Sequence, residues 1–149
     1  LLYFAEKGKG ATRNGEKISA SAETELKNIL MAYSLDYSED SSKTEKELKI
    51  IKNIVQNTRN LRSTNSCAIE FCYVADGKLG GCINQATKIW DIAAPYLLVR
   101  EAGGIVTDIN GNNIDFSVNK SNYAKNFTIV GSGKLLHAKI MNLITNAAA

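Results

Sequence analysis

The sequence has little that would place it in a specialised structural class. Its three cysteines, Cys67, Cys72 and Cys82, have neither the paired spacing of a disulfide framework nor the spacing of a zinc site. No apolar run reaches the roughly 18 residues that suggest a membrane span. No basic segment precedes the apolar start at Leu1, so we expect no signal peptide and no membrane partner. Together these features predict a cytoplasmic protein.

Neither positive nor negative charge is concentrated in one part of the chain. The net charge is only +3, and Lys and Arg are spread along the sequence. A dedicated nucleic-acid binder usually carries a basic stripe, so we expect no nucleic-acid partner. The apolar fraction of 44% is ordinary for a globular domain, and 149 residues are enough to bury a core. The chain does not begin with Met but with a strand-like pattern, which predicts a fragment, a processed product or a truncated form.

Segments with strand and helix patterns alternate along the chain, which predicts an α/β or layered α+β domain. The segment 28–34 fits either element, and we favour a strand. In the first predicted helix, Leu48, Ile51 and Val55 share one face, which we expect to be buried. The segments 6–15 and 110–126 are expected to be loops. The predicted helices are 43–56, 66–75, 91–102 and 135–144, and the predicted strands are 1–5, 16–19, 28–34, 61–64, 80–84, 105–108 and 127–130.

Two polar residues stand at predicted helix starts. Asp91 precedes an apolar helix in the N-cap position, where its side chain can accept hydrogen bonds from the first free amides. Ser66 has the same position before the helix 66–75, and both an ordinary cap and a ligand-binding helix start remain open for it. His137 is expected to be a surface or half-buried residue, and Trp90 is expected to be a packing residue.

The stretch from Trp90 to Gly104 resembles the C-terminal signature of the inositol monophosphatase superfamily. Three further segments agree with that family in order and spacing. They are 6–15, with its Gly-Lys-Gly-Ala and Asn-Gly pattern, 62–77, with its Arg-x-x-x-Ser-x-Ala pattern, and 104–108, which continues the signature. The resemblance extends from Tyr3 to about Leu143. The residues that match the signature itself are Trp90, Asp91, Ala93, Ala94, Leu97, Leu98, Val99, Glu101, Ala102, Gly103 and Gly104.

The resemblance implies the C-terminal half of the sugar-phosphatase fold over residues 1–149, with a mixed sheet flanked by helices. The acidic segments that supply most metal ligands in the family's N-terminal half have no counterpart here. The implied activity is Mg²⁺-dependent hydrolysis of small phosphorylated metabolites such as inositol monophosphate. Relatives act on fructose bisphosphate, histidinol phosphate or phosphoadenosine nucleotides. The alternative is a non-catalytic binding or assembly module. Expected partners are a phosphorylated substrate, the missing half and a second copy in a homodimer.

Four residues match functional positions of the family. Asp91 corresponds to a metal ligand, and Asn65, Ser66 and Asn84 correspond to substrate-binding positions, whereas no catalytic residue is matched. Asn65 replaces the family's Gly, and Asn tolerates unusual backbone angles. Asn84 stands where inositol monophosphatases often have Glu, which weakens the case for inositol phosphate as the substrate. Lys88 could face a phosphate, although a solvated lysine is the more ordinary expectation.

Overall fold

The chain forms two sheets and five helices in the computed structural model, which describes residues 1–148. A single 3-10 turn covers Leu26–Asn28. The strands are β1 (Tyr3–Glu6), β2 (Gly10–Arg13), β3 (Glu16–Ile18), β4 (Leu30–Ser34), β5 (Asn60–Arg62), β6 (Gly81–Thr87), β7 (Ile105–Thr107) and β8 (Phe127–Ser132). The helices are α1 (Ser41–Asn57), α2 (Cys67–Ala75), α3 (Ile89–Glu101), α4 (Lys120–Ala124) and α5 (His137–Ala148).

The larger sheet is mixed, as the resemblance implied. Its strand order is β5-β4-β6-β8-β7. β4 pairs in parallel with both β5 and β6, whereas β8 pairs antiparallel with β6 and with β7. The predicted fold class, a mixed sheet flanked by helices, is therefore confirmed.

Alternate residues of the central strands feed two separate cores. In β4, Ala32 packs into the core beneath α2 and α3, whereas Met31 and Tyr33 pack into the core beneath α1 and α5. Cys82 and Ile83 of β6 divide in the same way. This division follows from the two-residue period of a strand, because successive side chains point to opposite faces of the sheet. The sheet is thus covered on both faces by helices.

The smaller sheet is the antiparallel meander β1-β2-β3, which the signature residue Glu101 attaches to the end of α3. Glu101 accepts hydrogen bonds from the backbone N–H groups of Gly8 and Gly10, each at 2.9 Å. These two bonds lower the pKa of its carboxyl group. Two motifs of the resemblance, the glycine-rich hairpin and the Glu-Ala-Gly-Gly segment, therefore contact each other, and this contact holds the smaller sheet against α3.

Three local predictions were wrong. β2 lies inside the segment 6–15, which was expected to be a loop, and α4 lies inside the expected loop 110–126. The buried face of α1 carries Glu47, Ile50 and Ile54, while Leu48 and Val55 are 50% and 57% exposed. The sequence pattern predicted the wrong face of α1 because a charged residue, Glu47, lies on the face that packs against the sheet. Its Oε1 pairs there with Lys43 Nζ at 3.8 Å.

Candidate functional site

A cleft of about 270 Å³ opens where the three parallel strands end. Open sheets of this kind bind ligands outside the carboxyl ends of their parallel strands, because the following loops converge there. Asp36 follows β4, Asn65 and Ser66 follow β5, and Asp91 follows β6. All four residues matched to the family, Asp91, Asn65, Ser66 and Asn84, line this one cleft.

Asp91 lies in the first turn of α3 rather than at its N-cap, so that prediction was wrong. The helix begins two residues earlier, at Ile89, and Lys88 is the N-cap. Asp91 Oδ2 accepts a hydrogen bond from the Lys88 backbone N–H at 3.3 Å. The residue is exposed at the mouth of the cleft. Its carboxylate is therefore fixed in direction by the helix start and is accessible to a cation.

Asn65 and Ser66 form the turn into α2. Asn65 has a φ of +56°, in the left-handed region that the family's Gly would also adopt, so the replacement preserves the turn. Ser66 is the N-cap of α2, as predicted, but its side chain makes no capping hydrogen bond. Cys67 and Ala68 of the first turn of α2 also line the cleft, and the backbone amides of a first turn have no partner within their own helix.

A buried carboxylate that the sequence analysis did not single out fixes this turn. Glu70 of α2 is 1% exposed. Its Oε1 accepts from Thr64 N at 2.7 Å and from Thr64 Oγ1 at 3.1 Å, and its Oε2 accepts from Ser34 Oγ at 2.9 Å. The Cys82 thiol also donates to Oε2, at 3.4 Å. Glu70 therefore ties Thr64, directly before Asn65, to the last residue of β4 and to Cys82 near the start of β6.

Asn84 lies deep in the cleft, where β6 departs from regular pairing. It is 6% exposed, and the register of β6 against β8 shifts between Asn84 and Thr87. Asn84 Oδ1 accepts from the Ala86 backbone N–H at 3.0 Å. That bond fixes the amide plane, and the amide nitrogen remains a donor for a ligand oxygen.

Most of the side-chain atoms in the cleft that could bind a metal ion are oxygens. Asp36 provides a second carboxylate, which sequence reasoning missed although its position directly beyond a buried strand was a usable signal. Burial raises the pKa of the Cys67 thiol to about 12, and the carboxylates of Glu70, Asp91 and Asp36 contribute to that rise. A neutral thiol is a poor metal ligand. Among residues 1–148, no three acidic, His or Cys side chains are grouped closely enough to hold a metal ion.

Three other residues considered in the sequence analysis contact neighbouring parts of the fold and not the cleft. Lys88 Nζ donates to the Ala124 carbonyl at 2.8 Å, so it ties α3 to α4. Trp90 is 53% exposed and packs against Tyr123 with ring centroids 4.8 Å apart. His137 is 8% exposed, which corrects the expectation of a surface or half-buried residue, and its ring nitrogens contact the hydroxyls of Ser132 at 2.9 Å and Thr107 at 3.0 Å. None of the three lines the cleft.

The sequence matches the model of the inositol monophosphatase family over residues 1–148. The chain belongs to that family. It is 40% identical over 153 residues to a bifunctional NADP phosphatase/NAD kinase of Methanococcus maripaludis, a match that covers 97% of this chain and 25% of that protein. It is 38% identical over 110 residues to a putative Nus factor SuhB of Neisseria meningitidis, covering 74% of this chain and 42% of that one.

A solved structure shares the fold over almost the whole chain. It is an IMPase/NADP phosphatase complexed with Mg²⁺ and phosphate, and the two structures superpose with a TM-score of 0.76 at 23% identity. The match covers 95% of this chain and 49% of that one. The family member described here therefore spans a quarter to a half of the length of these relatives. None of the helices described by the structure is long and apolar enough to cross a membrane.

Proposed function

We propose that this chain is the C-terminal half of a Mg²⁺-dependent phosphomonoesterase that hydrolyses small phosphorylated metabolites. One observation carries the proposal. A single polar cleft is lined by the four residues that the sequence resemblance matches to functional positions, Asp91, Asn65, Ser66 and Asn84. The family membership and the phosphatase activity in the name of the 40% identical relative support the same reaction class.

In this proposal Asp91 is a Mg²⁺ ligand, and Asp36, which lines the same cleft, is a second candidate ligand. Mg²⁺ prefers hard oxygen ligands and retains several waters, so one or two carboxylates suit it. When bound, the ion would neutralise phosphate charge and activate a water for in-line attack. The free amides at the start of α2 favour an anion, because the helix dipole is positive there. Asn84 would hold the alcohol part of the substrate.

Two carboxylates, of which Asp91 is exposed and Asp36 half-buried, make a weak Mg²⁺ site, so further ligands would have to come from a region that corresponds to the family's N-terminal half. We therefore expect the 149-residue chain by itself to bind Mg²⁺ weakly and to hydrolyse phosphate monoesters at no measurable rate. Detectable turnover by the pure chain would contradict the division of the site into two halves.

The test of the metal site compares Asp91→Asn with Glu45→Gln, a matched loss of one charge at an exposed position of α1. Mn²⁺ serves as a paramagnetic probe, and the line broadening of cleft amides is measured by NMR. We expect broadening near Asn65 and Asn84 in the parent chain and in Glu45→Gln, and at least a severalfold weaker effect in Asp91→Asn. Equal broadening in all three would remove Asp91 from the metal site.

A second candidate function is supported by the name of another relative. The putative Nus factor SuhB is 38% identical over 110 residues, and its name states no hydrolytic activity. A non-catalytic assembly module of the same fold would not need the cleft to bind a metal. Absence of Mn²⁺ binding in the parent chain would therefore favour the assembly module over the phosphatase.

A further inference from the structure

Thr87, the last residue of β6, has a buried hydroxyl without a hydrogen bond. The residue is 4% exposed, and no group among residues 1–148 offers its Oγ1 a hydrogen-bonding partner with acceptable geometry. The Cys67 thiol is near enough for the Thr87 hydroxyl to lower its pKa, but sulfur is a weak hydrogen-bonding partner and leaves Oγ1 without a regular hydrogen bond. An unsatisfied buried hydroxyl destabilises the folded state. Such exceptions are uncommon and are often explained by a functional role of the group.

Thr87 lies in the same cleft as the residues assigned to substrate and metal. The two buried polar residues of the cleft, Thr87 and Asn84, are here called the floor, and the exposed residues Asn65, Ser66 and Asp91 are called the rim. The floor is neutral and combines donors with acceptors, whereas the carboxylate of Asp91 and the amides of α2 lie at the rim. A ligand with both a charged and a neutral group would therefore place the charged group at the rim and the neutral group at the floor.

The floor suits a hydroxyl better than a phosphate. Phosphate recognition depends on cations or on several amide donors. The nearest lysine in sequence, Lys88, is occupied by the Ala124 carbonyl. A threonine hydroxyl both donates and accepts, so it can pair with an alcohol in either direction. Rotation about χ1 moves Oγ1 between staggered positions, which allows a ligand to draw it toward the cleft.

We propose that Thr87 is a specificity residue whose hydroxyl binds a hydroxyl group on the alcohol part of the substrate. This inference rests on the proposed phosphatase function and narrows it, because it selects polyhydroxylated phosphate monoesters over simple alkyl phosphates. The unpaired hydroxyl in the free protein is the cost of that selectivity, since sites built to bind a ligand are commonly less stable than they could be.

The test uses two ligands that carry the same phosphate group. Glycerol 2-phosphate has two hydroxyls, and isopropyl phosphate has the same carbon skeleton without them. Their dissociation constants for the 149-residue chain are measured by NMR titration in the presence of Mg²⁺. Thr87→Val removes the hydroxyl and keeps the shape of the side chain, whereas the control Thr87→Ser keeps the hydroxyl. The melting temperature of each variant is measured without ligand.

We expect Thr87→Val to bind glycerol 2-phosphate roughly three- to tenfold more weakly, the value of one net hydrogen bond, and to bind isopropyl phosphate unchanged. Thr87→Ser should retain the preference for glycerol 2-phosphate. The melting temperature of Thr87→Val should not fall, because the lost hydroxyl had no partner. If the Thr87 hydroxyl contributes only to folding, Thr87→Val will leave the dissociation constants of both ligands unchanged.

The results distinguish a failure of the role of Thr87 from a failure of the proposed phosphatase function. If the parent chain binds both ligands and Thr87→Val weakens neither or weakens both equally, the role of Thr87 is refuted while the phosphatase assignment stands. If Thr87→Val melts at a lower temperature, the hydroxyl is satisfied in the free protein and the argument for Thr87 fails. If Mn²⁺ occupies the cleft of the parent chain but neither ligand binds at millimolar concentration, the cleft is not a phosphate-ester site, and the proposed function and the role of Thr87 both fail.

Discussion

Replacement of Glu70 by alanine should be among the most destabilising single changes outside the apolar core. Glu70 is 1% exposed and accepts two hydrogen bonds from Thr64 and one from Ser34. Ser34 is 2% exposed, so its hydroxyl would be left buried and unpaired, which costs about 1–3 kcal/mol. Thr64 is exposed and can turn to water, so its lost bonds cost only about 1 kcal/mol.

The space left by the deleted side chain adds a further penalty of about 1 kcal/mol, because the surrounding helix and strands relax only partly. The expected loss for Glu70→Ala is therefore about 3–5 kcal/mol out of the roughly 5–15 kcal/mol by which a domain is stable. Glu70→Gln should cost less than about 1.5 kcal/mol. Glutamine keeps the shape, accepts from Thr64 through its oxygen and donates to Ser34 Oγ through its nitrogen.

Urea denaturation at constant m-value measures these losses. Glu45→Ala, at an exposed position of α1, is the control and should change the free energy of unfolding by less than about 0.5 kcal/mol. Amide hydrogen exchange at Asn65 and Ser66 provides a second readout, because their turn follows Thr64. A loss below about 1 kcal/mol for Glu70→Ala, with unchanged exchange in that turn, would refute the claim that Glu70 fixes this side of the cleft.

Two further predictions test a buried histidine and the orientation of α1. Burial lowers the pKa of His137, so the unfolded chain binds its proton first as the pH falls. Stability should decrease as the pH drops below about 6.5 and level off below the folded-state pKa, and His137→Gln should flatten that slope in urea titrations. An identical slope in the variant would exclude His137 as its cause. Ile54→Ala should cost about 2–4 kcal/mol because Ile54 is 0% exposed, whereas Leu48→Ala should cost less than about 1 kcal/mol because Leu48 is 50% exposed. The reverse order in thermal or urea unfolding would restore the face predicted from the sequence.

Local patterns sufficed to predict most of the elements of the fold. The apolar start of the chain, the segment 16–19 and the apolar stretch after Asp91 each correspond to an element in the structure, with ends of the helix after β6 shifted by one or two residues, to Ile89 and Glu101. Such shifts are expected, because helix ends depend on a few hydrogen bonds that propensity does not determine. Here the packing of Ile89 into the core beneath α3 extends the helix toward its N-terminus.

The cleft was predictable only in part, because its remaining residues act through contacts that are distant in sequence. The motif resemblance identified Asp91 and Asn84. Glu70 meets Ser34, which is 36 positions away, and that contact exists only once β4 and α2 are packed together. Asp36 has no motif around it, and only the parallel pairing of β4 with its neighbours brings it to the same edge as Asp91. Sheet register, which no local pattern fixes, therefore decided which carboxylates share the site.

The uneven burial of the cleft fits the proposed division of the site between two halves. Glu70, Asn84 and Thr87 are buried and held by the sheet, whereas Asp91 is exposed to water. A unit charge pair at 4 Å is worth about 1 kcal/mol in bulk water but about 4 kcal/mol at the effective dielectric near a protein surface. An open rim therefore holds Mg²⁺ and phosphate only weakly. A covering segment would strengthen Asp91 as a ligand by excluding water, even before it contributed a ligand of its own. Weak Mg²⁺ binding by this chain and strong binding by a longer family member would thus arise from the same carboxylate in two dielectric environments.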